Sequence, residues 1–123
     1  MFNNKLLVLL MFLGAYSVQA EILFKNDLFS DVTISQYLGD LKAPYDQVIA
    51  SKAPAVSLYS SMSSMSLKKK GLFHKTHQLS PEILKAARNL ERDGRKITIT
   101  ALEKDGNVSF ELVGEDGSII FVP

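Results

Sequence analysis

The chain has 123 residues, a formal net charge of +1 and no cysteine. That length fits one domain, and 46% hydrophobic with 22% charged residues describes a globular chain, not a disordered or collagen-like one. The missing cysteine excludes disulfide scaffolds, thiolate-bound zinc or iron–sulfur centres and cysteine nucleophiles, and the near-zero charge gives no global pull toward nucleic acid.

Lys5 and the terminal amine precede an apolar run from Leu6 to Tyr16, and Val18-Gln19-Ala20 sets small residues at the −3 and −1 positions of a cleavage site before Glu21. This is the pattern of a secretory signal peptide, and the run falls well short of the ~20 apolar residues that a membrane-spanning helix needs. The expectation is cleavage after Ala20, a periplasmic or secreted product without a transmembrane segment, and one small α+β domain over 21–123.

The first half of that domain reads as one strand followed by helices. Residues 21–29 contain Ile22, Leu23, Phe24, Leu28 and Phe29 and suggest a short strand. Ile34, Tyr37, Leu38 and Leu41 recur at i, i+3, i+4 and i+7, which predicts a helix near 31–42, although Val32-Thr33-Ile34 and Gly39 count against it. Tyr45, Val48 and Ile49 extend the stripe into a second helix near 44–52, begun at Pro44 and stopped by Pro54. Residues 57–66 hold six serines with Leu58, Tyr59, Met62 and Met65 between them, which fits either a weak third helix or a flexible Ser/Lys-rich connector running to 71. Lys68-Lys69-Lys70-Gly71 reads as an exposed loop.

The second half is better marked. Ser80 is an N-cap, Pro81 suits the first helical position and Glu82 complements the dipole; Ile83, Ala87 and Leu90 form one apolar stripe, and Gly94 ends the predicted helix 81–93. Strands follow at 97–102, 108–113 and 118–122, separated by Asp105-Gly106 and Asp116-Gly117. Two-residue turns pair Ile99 with Leu112, Ala101 with Phe110 and Leu112 with Phe121. They place Ile97, Ile99, Phe110, Leu112, Ile119 and Phe121 on one core face of a three-stranded antiparallel meander. The expected fold is therefore α+β, with N-terminal helical segments and helix 81–93 packed on that meander.

Charge is concentrated in the middle of the chain. Lys68, Lys69, Lys70, His74, Lys75 and His77, together with Lys85, Arg88 and Arg92 on the polar side of the predicted helix, form a candidate partner-binding face, and the two histidines would add charge in mild acid. The same residues also read as a solvated helix face beside a soluble loop. His74-x-x-His77 supplies two imidazoles where zinc needs three or four ligands, so no metal is expected. There is no G-x-S-x-G, no H-E-x-x-H and no glycine-rich phosphate loop, so neither a catalytic residue nor a cofactor is assigned. Phe73 is the only aromatic residue in the block, which leaves no stacking platform for nucleic acid. The terminal strand offers a second docking element if it is an edge, unless residues 21–29 pair with it.

The segment SPEILKAARNLERDG followed by KITITALEKDGNVSFELVGEDGSIIFV resembles a PepSY-type module, in which a helix precedes antiparallel strands. The resemblance covers just over a third of the chain and implies an exported regulator of peptidases. No residue carries an inhibitory motif that could be transferred. The expected function is non-enzymatic docking of a protein partner, in the manner of an inhibitor or immunity factor, through the basic face or the terminal strand. Attachment to an anionic lipid or cell-wall polymer through 68–77 is the alternative, and a small hydrolase with an unrecognised site is the third.

Overall fold

The computed structural model describes residues 21–39, 42–71 and 75–121. The chain runs β1 (Glu21–Asn26), β2 (Val32–Leu38), β3 (Tyr45–Ile49), β4 (Val56–Ser57), β5 (Met62–Lys69), β6 (Thr76–Gln78), α1 (Pro81–Arg92), β7 (Lys96–Lys104), β8 (Asn107–Gly114) and β9 (Ile119–Phe121). Over the described residues it is mostly β: a five-stranded sheet of order β9-β8-β7-β1-β4 and a four-stranded sheet of order β3-β2-β5-β6, with one helix. The expected architecture of N-terminal helices on a three-stranded meander is thus incorrect. Both predicted N-terminal helices are strands, and the serine-rich 57–66 segment is neither helix nor connector but leads into β5.

The second half follows its local chemistry. The Ser80 hydroxyl accepts the Glu82 N–H, Pro81 opens α1, and Gly94 takes φ +87° just past the C-cap Asp93. Asp105 and Gly106 both adopt positive φ, as a type I′ turn demands, and Ile99 faces Leu112 while Ala101 faces Phe110. Phe121 pairs with Leu112 as the turn rule expects. Ile119 does not join the core face: the register shifts between Ile119 and Phe121, so Ile119 lies opposite Val113 and is 58% exposed.

β1 completes the larger sheet. It runs parallel to β7, with Ile22 opposite Ile97 and Phe24 opposite Ile99, and antiparallel to the two-residue β4. Ile22, Phe24, Ile97, Ile99, Ala101, Phe110 and Leu112 are buried, while the alternate positions of these strands are only partly covered. The sheet therefore has one buried face. Ile83, Leu84 and Ala87 of α1 share one core cluster with that face and with Val32, Ile34, Ile49, Met62, Met65 and Leu67 of the smaller sheet, so helix and second sheet cover it side by side.

Asn26, fully buried, ties the two sheets together. Its Nδ2 donates to the Ser30 carbonyl (2.9 Å) and the Ile49 carbonyl (3.1 Å), and its Oδ1 accepts the Leu28 N–H at 3.0 Å. Ser51 fastens the same corner, donating its N–H to Asp31 Oδ1 and its hydroxyl to the Leu28 carbonyl. The loop 27–31 and the loop after β3 are therefore held together at one end of the smaller sheet.

Candidate functional site

The basic residues do not form one face. Lys68 and Lys69 belong to β5 and Lys70 follows it, so they sit at a strand end and not in a loop. Successive strand positions point to opposite faces, which separates Lys68 from Lys69. Lys69 Nζ lies 3.9 Å from Glu103 Oε2 at the end of β7. Lys75 is exposed just before β6, and His77 within β6 lies opposite Leu67. His74 lies outside the described residues.

Lys85, Arg88 and Arg92 line a separate shallow groove of about 330 Å³ along α1, together with Ser63, Leu84 and Asn89. Arg88 is committed to structure there. Its guanidinium donates to the Ser60 carbonyl at 2.7 Å and to the Met62 carbonyl, bracing the turn that enters β5. Arg92 donates to Asn89 Oδ1 at 3.1 Å. His77 is also a poor reserve of positive charge. Partial burial, and then the charges of Lys75 and Lys69, push its pKa below the ordinary 6.5, so it gains charge only in more acidic solution than an ordinary histidine.

Two concavities flank the β5 lysines. One, of about 280 Å³, is lined by Asp31, Val32, Thr33, Val48 and Lys68 to Gly71, and its walls are largely apolar. The other, of about 260 Å³, lies on the outer side of the same sheet among Thr33, Ser35, Tyr37, Asp46, Ser66, Lys68 and Thr76, where Ser35 donates its hydroxyl to Asp46 at 2.7 Å. Sequence reasoning did not single out Val48, which read as part of a helix stripe, or Phe29, which read as part of a strand. The two are 68% and 83% exposed. Beyond them, Tyr45 and Tyr59 meet edge to face at 5.1 Å, and their hydroxyl contact holds the Tyr59 phenol above its usual 10.0.

The terminal strand is an edge. Residues 21–26 pair with β7 and β4, not with β9, so the outer side of β9 has no partner strand among the described residues. Ile119 and Ile120 are exposed on it. The turn that delivers β9 is braced by Asp116, whose Oδ1 accepts both the Ser118 N–H (3.0 Å) and the Ser118 hydroxyl (2.7 Å); those bonds hold its carboxyl below the ordinary 3.8.

Among the described residues, no helix is long and apolar enough to cross a membrane, and no group of three or more His, Asp or Glu is placed to share a metal ion. No protein-family model matches the chain, and no curated protein and no solved structure is significantly similar to it.

Proposed function

We propose that the chain is a small exported, non-enzymatic binding protein that docks a partner protein by adding the partner's strand to β9, in the manner of an inhibitor or immunity factor. The observation that carries this reading is the outer side of β9, which has no partner strand among the described residues, with Ile119 and Ile120 exposed along it. An edge of this kind supplies backbone donors and acceptors for affinity and alternate side chains for selectivity. The other three edges are poorer templates: β4 has two residues, β6 has three and follows Lys75, and β3 carries Asp46. The preceding Asp116–Ser118 turn fixes the direction of β9 before any partner arrives, which lowers the ordering cost of docking.

The test is site-specific photo-crosslinking in the native host. A photoreactive residue in place of Ile120 is expected to give one discrete adduct, and adding Ile119→Pro, which deletes a backbone donor on the outward side of β9, is expected to abolish it while the unfolding midpoint is held. The absence of an adduct, or an adduct indifferent to the proline, contradicts docking along β9.

A further inference from the structure

We propose that the end of the four-stranded sheet where β2 begins and β3 and β5 finish docks on the surface of an anionic phospholipid bilayer, with Phe29 and Val48 entering the interface and lysines meeting the phosphates. This site is independent of β9. Phe29 and Val48 are the two most exposed large apolar side chains among the described residues, and the topology brings them to the same end of the sheet. Val32 pairs with Ile49 on one side and with Lys69 on the other, so Val48, Lys68, Lys69 and Lys70 all gather around the start of β2. Phe29 sits in the loop just before it, held by the Asn26 and Ser51 hydrogen bonds to Leu28 and Ser30.

The charge at this end fits the same surface. Lys52 Nζ lies 4.7 Å over the Phe29 ring and 3.2 Å from Asp27 Oδ1. Lys69 is paired with Glu103, and Asp31 already accepts the Ser51 N–H. The ammonium groups of Lys68 and Lys70 have no hydrogen-bond or ion-pair partner among the described residues and border the apolar concavity that Val32 and Val48 line. Exposed apolar groups ringed by cations suit the boundary between headgroups and acyl chains, where hydrophobic and electrostatic attraction add.

The species to test is the full chain as its host produces it. It is expected to sediment with vesicles of phosphatidylglycerol and phosphatidylcholine at low salt and not with phosphatidylcholine alone. Lys68→Glu with Lys70→Glu should weaken that binding by about tenfold or more. Phe29→Ser and Val48→Asp should each weaken it too, and Lys85→Glu with Arg92→Glu on α1 should leave it unchanged. Four results overturn the proposal: no preference for the anionic vesicles, retention of binding in the β5 double variant, an equal loss in the α1 double variant, or full competition by millimolar glycerol phosphate, which assigns the lysines to a soluble phosphate.

Discussion

Exchanging Asn26 for leucine is expected to lower the unfolding free energy by about 3–5 kcal/mol. The side chain is fully buried and satisfies three backbone groups at once: the Leu28 N–H and the Ser30 and Ile49 carbonyls. Leucine fills the volume but leaves those groups without partners, and each buried orphan costs about 1–3 kcal/mol. Asn26→Asp should also destabilise, because it keeps the acceptor for Leu28 while setting a carboxylate against two carbonyls. Gln36 is the internal contrast. It too is fully buried, yet only its Oε1 is used, accepting the Tyr59 N–H at 2.8 Å, while its Nε2 has no partner. Gln36→Leu removes that orphaned donor and leaves a half-exposed N–H that water can reach, so the change should stay within about 1 kcal/mol. Urea unfolding of the two variants side by side measures the difference. Equal midpoints would show that Asn26 is not the tie between the sheets.

The second large effect falls on Phe24. It is fully buried in the middle of β1, opposite Ile99 of β7 on one side and Val56 of β4 on the other. Truncation to alanine empties the centre of the shared core and should cost about 3–5 kcal/mol. Against a total of about 5–15 kcal/mol for a domain of this size, that is enough to populate the unfolded chain at 37 °C. Phe24→Leu, which keeps most of the volume, should cost well under half as much. Thermal unfolding followed by circular dichroism separates the two. A loss below about 1 kcal/mol for the alanine variant would mean that β1 is not a central strand.

The parts of the fold legible in the sequence are those whose information is local. Ser80, Pro81 and Glu82 specify a helix start within three residues, and Asp105-Gly106 specifies both a turn and, through it, the pairing of Ile99 with Leu112. The N-terminal strands misread for particular reasons. In β2 the inward positions are Val32, Ile34 and Gln36, and the outward ones are Thr33, Ser35 and Tyr37. A buried glutamine next to an exposed tyrosine breaks the visible alternation, and Ile34, Tyr37 and Leu38 then imitate a helical stripe. Only Val32-Thr33-Ile34 pointed the other way.

In β5 the imitation has a geometric cause. Gln36 faces Met65 and Tyr37 faces Ser64, but Leu38 faces Met62, so Ser63 is an inserted residue. The bulge returns Met62 to the core face at a spacing of three from Met65, which reads as helix. The partner of β1 was beyond reach of any local signal, since it lies past the helix on β7 and the pairing is parallel.

The candidate sites were half legible for the same reason. The lysines at 68–70 were visible as a cluster, but whether they joined the α1 cations depended on topology, and Arg88 turned out to be engaged by the carbonyls of Ser60 and Met62. Ile119 and Ile120 were visible as an apolar strand, and their exposure followed only once β1 was placed away from β9. Phe29 and Val48 had no mark in the sequence, since nothing in their spacing separates an outward apolar residue from an inward one.

The arrangement rests on the β1–β7 pair, because it fixes the larger sheet, frees β9 and turns the following chain into the second sheet. Nuclear Overhauser contacts between the backbone protons of Leu23–Lys25 and those of Thr98–Thr100, in the parallel pattern, test it most directly. The structure predicts these contacts together with extended carbon shifts through 32–38; sequential amide–amide contacts through 32–38 with none from β1 to β7 would contradict it.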